Sequence, residues 1–149
     1  MKYTFKKEAE CSIMNGGSKL CNIYEDFSKY VLVFGQLKTL FGEPLYVTEN
    51  LEEQYSYSIS ATDETGSIFF LDAYSGPTGP AICGLSEARE AAEALAAYIR
   101  AAEVSDYDYE GYYLDAPCKV RMGVKNGQPY EEESELTDQE AAELFQKLF

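Results

Sequence analysis

Residues 55–75 carry the pattern of a β-hairpin. Four apolar side chains alternate with three serines in its first arm: Tyr55, Tyr57, Ile59 and Ala61. Because strand side chains alternate between faces, we expect one apolar face and a serine face in contact with water. The turn ends in Gly66, which adopts a positive φ readily. The return arm, Ser67 to Tyr74, holds an unbroken apolar run, which predicts a central strand covered on both faces.

A loop rich in glycine and proline follows the hairpin: Gly76, Pro77, Thr78, Gly79 and Pro80. Proline lacks an N–H donor and has a fixed φ, so we expect the loop to end the sheet and lead into a helix. Three interpretations stay open: a structural turn, a loop that contacts a ligand or partner, and an anion site where the helix starts. The prolines remove amide donors, and the glycine spacing matches no phosphate-binding pattern, which favours the structural turn.

Three helices are predicted along the chain. The first, from about residue 24 to residue 41, has apolar residues at steps of three and four, and Gly42 stands at its C-terminal cap. Ser28 is a candidate N-cap for a later start of this helix. The second, residues 87–102, follows a predicted N-cap at Ser86. The third begins at a capping box in residues 137–140, where a threonine and a glutamate side chain each accept a bond from the other residue's backbone N–H.

The remaining strands are short. They are predicted at residues 2–5, in the second half of residues 104–115, and in a second hairpin that joins 118–125 to 128–135 through Asn126-Gly127. Tight turns of this kind favour antiparallel pairing. The sequence therefore predicts a single α+β domain, with a mostly antiparallel sheet of about four to six strands built from two hairpins and about three helices packed against it.

The charge of the chain is uneven. The net charge is −14, yet residues 1–50 hold six basic and six acidic residues, so residues 51–149 carry the whole excess. An acidic surface repels nucleic acid and membranes and attracts basic partners. The alternative is that the charge serves solubility alone. The N-terminal residues lack the apolar run of a secretory signal and no stretch is apolar enough to span a bilayer, so we expect a cytoplasmic location.

Histidine is absent, which removes the usual general base, the common nucleophile pairs and the commonest metal ligand. The four cysteines form no C-x-x-C pair, and we expect thiols or, in an exported protein, two disulfides. Residues 106–111 start like a calcium loop, but Pro117 stands where the final glutamate ligand belongs. No catalytic residue, metal or cofactor is therefore assigned. A small enzyme using carboxylates, with or without a divalent metal, stays open as an alternative.

A segment dense in tyrosine and acid is the candidate partner-binding surface. It comprises Asp106, Tyr107, Asp108, Tyr109, Glu110, Tyr112 and Tyr113. Tyrosine suits interfaces because it offers a rigid apolar ring and a hydroxyl group at low entropic cost, and the surrounding acid would attract a basic protein. The other interpretation is that the alternate tyrosines pack on a helix as an ordinary sheet face. Under the first interpretation the protein acts by contact, without catalysis.

Three segments carry a resemblance to a family: residues 40–44 (LFGEP), 74–82 (YSGPTGPAI) and 123–130 (GVKNGQPY). Together they resemble small, acidic bacterial proteins, some of which look like immunity proteins that neutralise polymorphic toxins. The similarity spans residues 24–149. It implies a non-enzymatic binding protein whose partner is a toxin, and its motifs are turn motifs that transfer no functional residue set.

Overall fold

The computed structural model describes residues 2–9, 17–26, 29–44, 46–47, 55–75, 80–113 and 118–148. These residues contain nine strands and three α-helices. The strands are β1 Tyr3–Glu8, β2 Ser18–Asn22, β3 Tyr46–Val47, β4 Tyr55–Asp63, β5 Ile68–Ser75, β6 Ala81–Gly84, β7 Tyr107–Tyr113, β8 Cys118–Lys125 and β9 Gln128–Glu135. The helices are α1 Tyr30–Phe41, α2 Arg89–Arg100 and α3 Asp138–Leu148.

The strands form two antiparallel sheets within the described part of the chain. The larger has the order β1-β4-β5-β6-β2, with the short β3 also paired to β4, and the smaller has the order β7-β8-β9. The predicted α+β class, the antiparallel pairing and the three helices are confirmed. The two predicted hairpins, β4-β5 and β8-β9, lie in separate sheets.

Helix α1 lies between the two sheets. From the larger sheet, the Tyr55 hydroxyl donates to the Tyr30 carbonyl at 3.0 Å and the Tyr57 hydroxyl donates to the Gly42 carbonyl at 2.7 Å. From the smaller sheet, Tyr107 donates to the Val31 carbonyl at 2.5 Å. Seven of the helix's residues are buried: Tyr30, Val31, Val33, Phe34, Gly35, Gln36 and Leu37. The apolar face of the first hairpin therefore forms the core with α1, as its alternation predicts.

The opposite face of the hairpin differs from the prediction. Ser58 and Ser60 are only 1% and 5% exposed, although we expected the serines to face water. Ile68 and Phe70 are 56% and 41% exposed, although the apolar run predicts cover on both faces. The register explains both results, because Ser60 pairs with Phe70 and the larger side chains on this face shield the small serines between them.

The chain re-enters the larger sheet after the glycine-proline loop, so the expectation that the loop ends the sheet is wrong. Residues 76–79 lie outside the described residues, but Pro80 is buried, and its carbonyl accepts the N–H of Ile23 at 2.9 Å. Strand β6 follows at once. Helix α2 then begins at Arg89 behind a 3-10 turn, and the predicted cap Ser86 makes no capping bond.

Other local signals are confirmed at their residues. Gly42 ends α1 with φ 80°, and its N–H donates to the Lys38 carbonyl. The turn of the second hairpin has φ 54° at Asn126 and 76° at Gly127. In the capping box, the Glu140 N–H donates to Thr137 Oγ1 at 3.1 Å and the Thr137 N–H donates to Glu140 Oε1 at 3.2 Å. The bond from the Thr137 N–H to the carboxylate lowers the pKa of Glu140. Helix α1 begins at Tyr30, six residues later than predicted.

Candidate acidic recognition site

The smaller sheet has one inward and one outward face, and the alternation of β7 separates them. Tyr107 and Tyr109 pack against Phe34 of α1, with ring centroids 5.9 and 6.1 Å away. Met122 and Val124 lie opposite these tyrosines on β8 and are at most 1% exposed. The inward face thus joins the sheet to the common core, and the aromatic side chains of β7 anchor it there.

Gly35 of α1 makes this close packing sterically feasible. A Cβ atom at this position would lie 2.5 Å from Val104 Cγ1 and 2.8 Å from the Tyr107 ring. With no side chain in the way, the Tyr107 hydroxyl reaches the Val31 carbonyl. Burial raises the pKa of Tyr107 far above its ordinary value. Tyr107 and Tyr109 therefore support the fold, which corrects the expectation that their rings face a partner.

The outward face holds a shallow cleft of about 370 Å³ at the start of β7. Its lining residues are Asp106, Tyr107, Asp108, Arg121, Val124, Lys125, Tyr130 and Glu132. We call this the acidic cleft. Asp106 directly precedes β7 and Asp108 lies in it, while Arg121 and Lys125 come from β8 and Tyr130 and Glu132 from β9. Antiparallel register brings these three segments to one face.

Gly123 lies on the middle strand of the smaller sheet, between residues of β7 and β9 that meet across it. It pairs with Asp108 on one side and with Tyr130 on the other. Those two residues are two strands apart, roughly 9.6 Å at the backbone. Because Gly123 has no side chain between them, the Tyr130 hydroxyl crosses the middle strand and donates to Asp108 Oδ1. A glycine in a strand interior commonly marks such a close approach.

Basic residues of β8 stand against the acids of β7. The Arg121 guanidinium donates to Asp108 Oδ2 at 3.1 Å, and this hydrogen bond raises the pKa of Arg121. Lys119 Nζ lies 3.8 Å from a carboxylate oxygen of Glu110. The segment 106–110 contains no basic residue, but the fold places two basic side chains of the neighbouring strand beside it. Both pairs are largely exposed, so they orient the carboxylates and contribute little to stability.

Strand β9 adds acidic side chains to both faces of the smaller sheet. Four of its glutamates are exposed: Glu132 lies on the outward face opposite Arg121, whereas Glu131, Glu133 and Glu135 alternate to the face that packs on α1, where Glu131 accepts a hydrogen bond from Tyr30. Within the described residues, β9 pairs with β8 alone and so forms an edge of the smaller sheet, as Pro129 predicts. The sequence-based site omitted these glutamates. Their signal was the acidic run directly after the Asn126-Gly127 turn, which returns the chain beside β7 through β8.

The predicted site residues therefore divide into three groups. Asp106, Asp108 and Glu110 are exposed at the acidic surface, and Tyr107 and Tyr109 are partly buried against α1. The side chains of Tyr112 and Tyr113 lie outside what the structure describes, although their backbone completes β7. The loop residues Gly76, Pro77, Thr78 and Gly79 also lie outside the described residues, and Pro80 has the structural contact given above.

This arrangement is suited to recognising positive charge. Its carboxylates are exposed, and Asp108 already accepts bonds from Arg121 and Tyr130. A general acid or base usually sits in a buried position that shifts its pKa towards neutrality. No group of three or more acidic or cysteine side chains in the described residues is placed to hold a metal ion. Cys21, Cys83 and Cys118 are thiols, and Cys11 lies outside the described residues.

Comparison of the chain with family models, curated proteins and solved structures found no match in any of the three. None of the helices in the described residues is both long enough and apolar enough to cross a membrane.

Proposed function

We propose that this chain is a non-enzymatic, cytoplasmic protein-binding domain that receives a basic protein on its acidic cleft and on strand β9. The observation that carries the proposal is the outward exposure of acids on β7, directly before it and on β9, which approach one another on one face of a small sheet. They are Asp106, Asp108, Glu110 and Glu132. The tyrosines between them turn inward and pack against α1, so the acids stand on a sheet that the core holds in place.

The spacing of these acids lets their fields add. Asp106, Asp108 and Glu110 recur along one face at about 6.6 Å, which is below the Debye length of about 8 Å at physiological salt. Glu132 lies two strands away, at about 9.6 Å, so its field is screened more strongly and adds mainly at low salt. Residues 103–149 contain twelve acidic and four basic residues, so this part of the chain has a strong negative excess. On the outward face itself, four acids stand against Lys119, Arg121 and Lys125, which leaves a small negative excess. Such a field raises the association rate of a basic partner and contributes to specificity.

A toxin is the partner class that we propose. The resemblance of residues 40–44, 74–82 and 123–130 to immunity-type proteins supports this choice, and a nuclease toxin would present the basic surface that the acidic cleft requires. A protein that binds nucleic acid, such as a nuclease, carries a basic surface for it. In this proposal the chain stands in for nucleic acid at the toxin's surface and blocks access to it.

The test is a comparative pull-down from a lysate of the source organism at low and high salt. The bait is the wild-type chain, a variant with Asp106→Asn, Glu110→Gln and Glu132→Gln, and a control with Glu64→Gln, Glu87→Gln and Glu93→Gln. Both variants lose three negative charges from exposed positions. We expect a basic protein to bind the wild type and control at low salt, to be released by salt, and to be lost from the first variant. Equal retention by both variants would contradict the proposal.

A second candidate function rests on the size of the cleft. Small-ligand pockets start at about 300 Å³, and the acidic cleft holds about 370 Å³ beside two aspartates, a glutamate and a tyrosine hydroxyl. A small carboxylate enzyme or cation-binding domain would use these groups. Calorimetric titration with calcium, magnesium and manganese tests it. Heat of binding that disappears in the Asp106→Asn variant would favour this candidate, and no heat would remove its metal-dependent form.

A further inference from the structure

Strand β1 is a regular edge of the larger sheet. It pairs with β4 over six consecutive residues, from Tyr3 opposite Asp63 to Glu8 opposite Ser58, without a bulge. In the described part of the chain, β4 is its sole strand partner. Among the residues that the structure describes, the other side of β1 therefore presents backbone N–H and C=O groups in the geometry that accepts a further antiparallel strand.

A row of aromatic rings lies along this same edge. Phe5 of β1 packs on Tyr98 of α2 with ring centroids 5.1 Å apart, and Tyr98 contacts Phe41 at 6.3 Å. Tyr3 continues the row, 6.3 Å from Phe5 and 6.4 Å from Phe69. Tyr98 is 46% exposed, and the other rings are partly buried. The edge thus combines unpaired backbone groups with apolar surface beside them.

The other strand edges are less suited to pairing with a copy of themselves. Strand β2 carries a register irregularity between Lys19 and Cys21, which disrupts regular pairing. Strand β9 holds four exposed glutamates, and β7 exposes Asp108 and Glu110, so two copies would repel each other at either edge. Residues 1–50, which include β1, sum to zero charge. The neutral part of this acidic chain is where two copies approach with least repulsion.

We propose that two copies of the chain associate through antiparallel pairing of their β1 strands about a two-fold axis at Phe5. Side chains on one face pair with those on the same face, so the axis must lie at a residue. An axis at Lys6 would set two lysines against each other. With the axis at Phe5, the two Phe5 rings meet, Lys6 faces Thr4, Lys7 faces the Tyr3 ring, and Glu8 faces Lys2 of the other copy.

This register pairs opposite charges twice and joins the two larger sheets into one. Lysine on an edge strand often prevents such pairing. Here the lysines face a hydroxyl, an aromatic ring and a carboxylate, so they stabilise this register and disfavour the one shifted by a residue. Because the β7-β9 sheet carries no part of the interface, each copy keeps its acidic cleft. The proposal therefore stands independently of the identity of the basic partner.

Light scattering coupled to size-exclusion chromatography tests the association. At about 100 µM, where complexes of micromolar affinity assemble, we expect twice the chain mass of 16.7 kDa. Phe5→Glu sets two carboxylates together on the axis and should give the single-chain mass. Phe70→Glu is the matched control, because Phe70 is an exposed aromatic residue on another strand of the same sheet, and it should keep the doubled mass. A wild-type protein of single-chain mass would overturn the proposal.

Charge exchange tests the register without altering the core. Lys2→Glu sets a glutamate against Glu8 at both ends of the interface and should weaken association about tenfold, at about 0.7 kcal/mol per exposed pair. Adding Glu8→Lys to the same chain restores opposite charges and should recover most of the loss. Failure of the double variant to recover, with both variants folded by circular dichroism, would rule out the axis at Phe5.

Discussion

Gly123→Ala tests the geometry on which the acidic cleft depends. A Cβ atom added at Gly123 would overlap the carbonyl oxygen of Tyr107, and it would lie 2.8 Å from the Tyr107 carbonyl carbon and 3.2 Å from Asp108 Cα. All three atoms belong to the backbone of β7, so no rotamer change can relieve the overlap. Strand β7 has to move away from β8, and the Tyr130 hydroxyl then loses its path to Asp108.

The expected loss of stability follows from two terms. Overpacking of a well-packed site costs about 1–3 kcal/mol, and each ladder hydrogen bond that breaks as β7 moves costs about 1 kcal/mol. We therefore expect Gly123→Ala to lower the free energy of unfolding by about 3 kcal/mol. With a urea dependence of about 2 kcal/mol per molar, the unfolding midpoint falls by about 1.5 M. Urea titration followed by circular dichroism measures this shift.

Gly127→Ala is the control, since it is also a glycine-to-alanine change in the second hairpin. Nothing lies within 4 Å of a Cβ atom added there, and the cost comes from its φ of 76°. That conformation costs an alanine about 1 kcal/mol, or about 0.5 M in midpoint. If Gly123→Ala lowers the urea midpoint no more than Gly127→Ala does, β7 does not lie against β8 as described, and the geometry of the cleft is wrong.

Two further predictions concern single side chains. Burial raises the pKa of Asp72, so its charged form is disfavoured in the folded state; Asp72→Asn should raise the unfolding free energy at pH 7, and the gain should vanish below Asp72's ordinary pKa of 3.8. An equal gain at pH 3 and 7 would refute this. Tyr107→Phe removes the bond to the Val31 carbonyl and should cost about 1 kcal/mol in urea titration while leaving capture of a basic partner unchanged. Loss of capture in a folded Tyr107→Phe protein would show that Tyr107 contributes to the partner-binding surface.

The sequence predicts those parts of the fold that depend on local chemistry. The turn at Asn126-Gly127, the cap at Gly42 and the capping box of residues 137–140 each involve residues a few positions apart, so their signals are complete within the segment. The first hairpin and the Pro129 edge strand follow in the same way. Helix α1 begins later than predicted because its apolar periodicity alone does not fix the residue at which it starts.

Features set by distant segments were not predictable from the same patterns. Strand β6 has only four residues and contains Gly84, and its pairing is with β5 and β2 rather than within its own segment. The direction of Tyr107 depends on Gly35, which lies some seventy residues earlier and leaves room for its ring. The acids of β7 were found from sequence, while their pairing with Arg121 and their approach to β9 required the register of three strands.

Titration of the captured partner tests whether the outward face of β7-β9 binds a basic protein. The partner's dissociation constant is measured against the wild type, the Asp106→Asn, Glu110→Gln, Glu132→Gln variant and the Glu64→Gln, Glu87→Gln, Glu93→Gln control. We predict about tenfold weaker binding for the first variant, mainly through slower association at low salt, and a change below about twofold for the control. Equal affinities, or a greater loss in the control, would contradict the claim.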